Sequence, residues 1–404
     1  MTSKNLLGRR ARLVALATAG AVVAGCANNA PQDTFQPKGS NAQLIDDLAR
    51  PVFYIAGLVG VIVMGVIGFV VLRYRDRGQP IPEQTHGRPA LEIGLTILPA
   101  LILIGVAIPS VGVIMDLNET DDTECVVNVT GQQWWWEFDY PAQDGCLPGG
   151  IPEPIVTSGQ MVIPAGQNVL IRGTSRDVIH SFWIPALNGK RDMVPGRVQN
   201  LRMQAYEPGI YAGQCAEFCG LSHANMRMEV AALTDDGFQE WVDNQLAEYT
   251  PPEADTLAAE GEATFVANCS RCHQIDGLED EEGTPLVARP DEQVYSGAAP
   301  NLTNLMTRNT FAGATWSLLR DECRDAVWEA DSDVFTERYL EGVTEDCFAE
   351  VDLREWLRDA PKKKPMYTDP EELGPTDELY RGMPYLALSE DQIDQLLAYL
   401  LERK

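Results

Sequence analysis

The chain has 404 residues, enough for two or three domains rather than one core. Its 59 Asp and Glu against 31 Lys and Arg give a formal net charge of −28. That balance excludes nucleic acid and anionic lipid headgroups as main ligands, because like charges repel, and favours cationic partners steered in by the field.

Lys4, Arg9, Arg10 and Arg12 precede an apolar run over residues 13–24, the pattern of an export signal too short to cross a bilayer. The run ends in Val23-Ala24-Gly25-Cys26, which resembles the lipobox of bacterial lipoproteins and implies that Cys26 is lipidated. Ordinary cleavage after a small residue is the alternative. Residues 1–25 are thus assigned to a lipoprotein-type signal peptide. Residues 26–50, rich in Pro, Asn, Gln and Gly as far as Asn41, read as an extracytoplasmic tether.

Residues 52–72 and 91–115 are two apolar stretches of membrane-spanning length, which sets a transmembrane helical hairpin at residues 51–116. The loop between them carries Arg73, Arg75, Arg77 and Arg88, while Asp116, Glu119, Asp121 and Asp122 follow the second stretch. The positive-inside rule puts the loop in the cytoplasm of a bacterial cell, with the N-terminus and everything after residue 116 outside the inner membrane.

Residues 125–129, 134–140, 168–173, 198–205 and 228–232 are short β-rich runs separated by Pro and Gly, which predicts a small β-sandwich or barrel over residues 117–249. Residues 237–249 read as a helix, Thr250-Pro251-Pro252-Glu253 as a linker, and residues 250–404 as largely helical.

The most informative segment is Cys215-Ala216-Glu217-Phe218-Cys219-Gly220-Leu221-Ser222-His223-Ala224-Asn225-Met226, with an isolated His180 upstream. Thiolates with imidazole select copper or zinc, and a thioether suits copper. These residues resemble the dinuclear purple-copper motif (CuA) of cytochrome c oxidase subunit II. The resemblance implies a cupredoxin-like domain in which Cys215 and Cys219 bridge two coppers. His180, His223, Met226 and the carbonyl of Glu217 would complete the coordination. Two shared thiolates let one electron spread over both metals, so little geometry changes on reduction. A structural zinc site and a metal-free Cys215–Cys219 disulfide are the alternatives.

The resemblance extends to residues 131–140, 91–100 and 186–200, and covers about residues 44–248. It implies that Trp134 is the surface tryptophan at which electrons enter, with Trp136 packed nearby. Glu217 would hold Mg2+ or Mn2+ at the boundary with subunit I. Glu92 would lie near the mouth of a proton channel in subunit I, although a charged residue at a membrane boundary can also simply reach for solvent.

Cys269-Ser270-Arg271-Cys272-His273 is the attachment signature of c-type haem. With the helical segment before it and Ala299-Pro300-Asn301-Leu302-Thr303 after it, it resembles an all-α class I cytochrome c domain. Met383 is the leading sixth ligand, with Met366 and Met306 as rivals; no His follows His273. An acidic insertion over about residues 317–350 departs from that pattern.

Nine cysteines are present. With Cys26, the two copper thiolates and the two haem thiols set aside, two local pairs remain, Cys125 with Cys146 and Cys323 with Cys347, each expected as a disulfide outside the cytoplasm. The acidic stretches at residues 279–282 and 321–333 read as solvated faces or as a docking surface for a basic carrier, and Lys362-Lys363-Lys364 as a basic patch facing an acidic neighbour.

The whole chain thus resembles a caa-type subunit II with a fused cytochrome c. The resemblance implies partnership with oxidase subunits I and III and an upstream cytochrome c or quinol–cytochrome c reductase. Electrons would pass from haem c to copper and on to subunit I, where O2 is reduced to water with proton translocation. A quinol oxidase subunit lacks these copper ligands, a nitrous oxide reductase needs a far larger domain, and a copper-delivery lipoprotein has no use for a haem domain.

Overall fold

A computed structural model describes residues 30–78, 86–121, 123, 125–146, 149–278, 299–368 and 382–404. The expected export signal, Cys26 and the acidic run at 279–282 lie outside these residues.

Helix α1 (Ser40–Arg73) and helix α2 (Pro89–Leu117) carry apolar windows with mean hydropathy 2.8 and 2.5, none of it buried against protein. So much exposed aliphatic surface needs an apolar solvent, and a hydrocarbon core about 30 Å thick takes about 20 residues of helix. The 34 residues of α1 exceed that length. The excess belongs to the next domain. Asn41, Ala42 and Asp46 are buried, the backbone N–H of Lys38 donates to Ala186 O at 2.7 Å, and Asn41 Nδ2 donates to Arg202 O at 2.5 Å. The stretch read as a tether up to residue 50 is therefore helical from Ser40 onward. Its polar composition resembles a linker because it lacks the membrane's apolar run, yet it is packed.

The next domain is built from two sheets. In the first, β1 (Cys125–Gln132), β2 (Trp135–Tyr140), β3 (Ile155–Ser158), β5 (Val169–Ser175) and β8 (Gln199–Met203) lie in the order β3-β2-β1-β5-β8. In the second, β4 (Gln160–Pro164), β9 (Gly209–Gln214) and β10 (Arg227–Leu233) lie in the order β4-β10-β9. Cys125, Val127 and Val129 of β1 point inward at alternate positions, the period of a half-buried strand. Tyr140 OH on β2 bridges the sheets: it accepts from Val162 N at 2.8 Å and donates to Val162 O at 2.9 Å. Strands β6 (His180–Phe182) and β7 (Arg191–Met193) form a separate antiparallel pair. This is the expected cupredoxin-like sandwich.

Helix α3 (Asp235–Gln245), capped by the Thr234 hydroxyl, leads into the C-terminal domain. There α4 (Leu257–Asn268) crosses the terminal helix α9 (Glu390–Leu401). A Cβ on Gly261 would lie 2.0 Å from Gln395 O, so glycine sets how closely the two backbones approach.

The chain between them forms a short hairpin, β11 (Thr310–Phe311) with β12 (Trp316–Ser317), and the helices α5 (Asp321–Trp328), α6 (Ser332–Leu340), α7 (Glu350–Arg358) and α8 (Ala360–Lys363). The acidic insertion and the segment just before it lean on the β-domain through buried polar contacts. Tyr339 OH donates to Gln160 Oε1 at 2.8 Å, Arg308 Nη1 to Ser158 Oγ at 2.6 Å, and Thr234 N to Thr336 Oγ1 at 3.1 Å. Both expected disulfides, Cys125–Cys146 and Cys323–Cys347, are formed.

Candidate metal and haem sites

Strand β6 and the loop between β9 and β10 bring the sulfur and imidazole donors together. Cys215 Sγ lies 3.7 Å from Cys219 Sγ and 3.9 Å from His180 Nδ1, while Cys219 Sγ lies 3.5 Å from His223 Nδ1 and 3.8 Å from Met226 Sδ. The carbonyl of Glu217 is 3.3 Å from Cys215 Sγ. Every donor expected from the sequence is thus within contact range of one of two neighbouring thiols. The thiol pair resists a second ionisation. Hydrogen bonding from Cys219 and then His180 brings Cys215 down to about 4 against the cost of burial, while the hydrogen bond with Cys215, then burial and the Cys215 charge, push Cys219 well up. A cation bridging both sulfurs would offset that repulsion, and the donor set fits a dinuclear copper site.

Sequence reasoning missed Asp177. Its carboxylate accepts from Gln133 N at 2.7 Å and meets His180 Nε2 at 2.8 Å, leaving His180 Nδ1 turned toward Cys215. Burial pushes Asp177 upward, but the His180 contact and the Gln133 and Val178 N–H donors together hold it below the usual carboxylate range. The signal available in the sequence was an Asp three residues before the only His in that stretch. Gly131 stands beneath the same ring, where a Cβ would come within 2.8 Å of His180 Cδ2.

Trp136 packs edge-on against His180 at 5.8 Å, as expected of a nearby aromatic. Trp134 departs from expectation: it is not on the surface but 2% exposed. Its cover arrives from far along the chain. Lys364 Nζ donates to Trp134 O and to Ala312 O, each at 2.8 Å, and the Tyr367 ring sits 5.2 Å from the indole. The lysine run is likewise not one patch, since Lys363 pairs with Asp352 and Glu355 of its own domain at 2.6 and 2.7 Å while Lys364 is buried.

Cys269, Cys272 and His273 form a tight turn after α4, with His273 N donating to Cys269 O at 2.9 Å. His273 Nδ1 is held by Pro300 O at 2.8 Å, which leaves Nε2 as the free nitrogen for iron. Met383 and Met366 both pack against the domain core, and a Cβ on Gly382 would lie 2.8 Å from Met366 Sδ, so these rivals are spatial neighbours. Met306 is fully buried under the C-terminal segment, its N–H donating to Arg403 O. The turn and the neighbouring methionines fit c-type haem. Glu92 stands in the first turn of α2, where an acid complements the helix dipole, and is exposed. The Glu217 side chain is exposed as well.

Three families match in chain order: "Cytochrome C oxidase subunit II, transmembrane domain" over residues 29–113, "Cytochrome C oxidase subunit II, periplasmic domain" over 125–233, and "Cytochrome c" over 258–320. Cytochrome c oxidase subunit 2 of Alkalihalophilus pseudofirmus is 35% identical over 287 residues, covering 69% of this chain and 80% of the relative. The protein of the same name from Bacillus sp. (strain PS3) is 31% identical over 346 residues, covering 82% of this chain and 79% of the relative. A crystal structure of the periplasmic domain of subunit II of cytochrome oxidase (CoxB) of Bradyrhizobium japonicum aligns with TM-score 0.28 and 26% identity over 31% of this chain and 96% of that one. The first of these families implies membrane-spanning helices, the second a CuA copper centre and the third haem c. This chain belongs to the cytochrome c oxidase subunit II family and carries a C-terminal cytochrome c domain.

Proposed function

We propose that this chain takes electrons into its cytochrome domain, passes them to its copper domain and delivers them to subunit I of a haem–copper oxidase. The observation that carries the reading is the gathering of His180, Cys215, Cys219, His223, Met226 and the Glu217 carbonyl around one pair of thiols, in a chain that also bears the Cys269-Ser270-Arg271-Cys272-His273 haem signature. Bound copper and haem supply one-electron chemistry. The chain's residues position them: Asp177 and Gly131 orient His180, and Pro300 orients His273.

In this reading Met383 is the sixth ligand of the haem iron, and Trp134 and Trp136 line the path between the centres. The exposed Glu217, beside the exposed apolar side chains of Phe218 and Leu221, supports a contact with subunit I at which the Glu217 carboxylate holds Mg2+ or Mn2+. Subunit III and an upstream cytochrome c or quinol–cytochrome c reductase complete the assembly. Glu92 is assigned to a proton path into subunit I, whose O2 reduction drives proton translocation. The arginine loop between α1 and α2 is cytoplasmic, both soluble domains are extracytoplasmic, and Cys26 carries a lipid anchor. The acidic face of the cytochrome domain receives a basic donor.

Rapid mixing of the purified oxidase with a one-electron donor tests the order of transfer. The c-type haem is expected to be reduced first and to reoxidise as the copper absorption bleaches. Copper reduction that precedes haem reduction would overturn the order.

A further inference from the structure

On the copper domain, the indole of Trp134 donates through Nε1 to Cys219 O at 3.0 Å and so touches the backbone of a copper-loop thiol directly. That indole is roofed by the cytochrome domain's residues 364–367. Lys364 Nζ holds Trp134 O, Ser222 Oγ of the copper loop donates to Pro365 O at 2.5 Å, and the Tyr367 ring lies 5.2 Å from the indole at an interplanar angle of 46°. A Cβ on Gly220 of the copper loop would lie 3.6 Å from Tyr367 OH. At its other side, Met366 abuts Gly382, the residue before Met383. The four-residue segment therefore spans from the candidate sixth-ligand loop of the haem to the tryptophan that touches the copper loop.

We propose that residues 364–367 form a built-in electron bridge, with Tyr367 handing electrons from the cytochrome domain to Trp134, and that this roof closes the Trp134 face to any external donor. The inference rests on the proposed order of transfer from haem to copper. A buried lysine that donates to main-chain carbonyls of Trp134 and Ala312, with no carboxylate partner among the described residues, serves here as a clamp, since it fixes the tryptophan backbone against the segment that carries Tyr367. With both centres loaded, one electron would be lost by the haem held at Cys269, Cys272 and His273 and gained by the copper held at Cys215 and Cys219. No bond forms or breaks and neither ring is oxidised, so no proton has to move. Tyr367 acts by its contact with the Trp134 ring and not by changing its own oxidation state.

The test uses the intact purified oxidase, with one electron injected into the haem by a photoexcited reductant and the haem-to-copper step followed optically. Tyr367→Leu is expected to slow that step about tenfold or more, within the range that an ångström-scale misplacement costs. The haem potential and the copper paramagnetic spectrum should stay unchanged, and Tyr367→Phe should keep the wild-type rate. Lys364→Met, which frees the Trp134 carbonyl, is expected to slow the step as well and carries the test if Tyr367→Leu fails to assemble. A wild-type rate in whichever of these two variants assembles, with both centres intact, overturns the bridge. Absence of any haem-to-copper transfer in the unsubstituted oxidase would instead overturn the proposed order of transfer.

Discussion

Asp177 shows how a residue outside the ligand set can govern it. Its carboxylate fixes which nitrogen of His180 faces the thiols, and partners of this kind cost about 10–100-fold in metal affinity when removed. Asp177→Ala is expected to lose copper to a chelator in that range, with Asp177→Asn falling between it and the parent protein; equal retention by all three would contradict the role. Gly131→Ala should shift the His180 ring by a few tenths of an ångström, because the added methyl would sit 2.8 Å from Cδ2. Altered copper hyperfine splitting would reveal it. The gathering of candidate donors was legible because five of the six fall within one twelve-residue loop whose chemistry is set by residue type. Asp177 was not, because nothing in its type separates a carboxylate that orients an imidazole from a solvated one. The burial of Trp134 was illegible for a different reason: its cover comes from Lys364, 230 positions away.

Secondary structure was legible where one bounded β-rich run marks one strand, even with both faces buried as in β10, and illegible where it does not, as in β9. β1 announces itself by alternation, whereas residues 155–164 hide two strands in one run. There β3 completes the first sheet, Gly159 turns at φ +75°, and β4 enters the second sheet with every residue buried. Partner strand β10 carries Glu229, whose carboxyl accepts from Gln160 Nε2 at 2.8 Å beside the Tyr339 contact that joins the two domains. Burial pushes Glu229 up to about 7, with the Gln160 hydrogen bond opposing. The folded protein therefore binds this proton more tightly than the unfolded chain. The resulting stability is full below about pH 4.5 and is lost as pH rises through about 7, amounting to about 3 kcal/mol at about 1.4 kcal/mol per unit. Thermal melts between pH 5 and 8 should show this decline, and Glu229→Gln should flatten it; an undiminished slope in the variant would assign the titration elsewhere. The Cys323–Cys347 bridge ties α5 to the turn before α7, with a sequence separation of 24. Replacing both cysteines by Ala is expected to cost about 3 kcal/mol, read as a lower melting midpoint of the cytochrome domain by its haem absorbance.

At the scale of the molecule, the order of parts was legible: membrane hairpin, sandwich and cytochrome each have their own period and composition. Their arrangement was not. The acidic insertion also supplies part of the contact surface between two redox domains, through Thr336 and Tyr339 on one side and Thr234 and Gln160 on the other, and Arg308, just before the insertion, adds a contact to Ser158. Charge composition alone cannot separate such a face from an exposed one, because the contacts are made by its few uncharged and buried side chains. Everything proposed for transfer depends on two coppers sharing the Cys215 and Cys219 sulfurs beside a haem held by Cys269, Cys272 and His273. Electron paramagnetic resonance of the purified oxidase tests that requirement most directly, recorded with its metal content and the optical spectrum of its c-type haem. The expected result is one unpaired electron coupled equally to two copper nuclei, lost together with copper in Cys219→Ser, beside an intact c-haem band. A spectrum of a single isolated copper, or a two-copper signal that survives Cys219→Ser, would contradict the account.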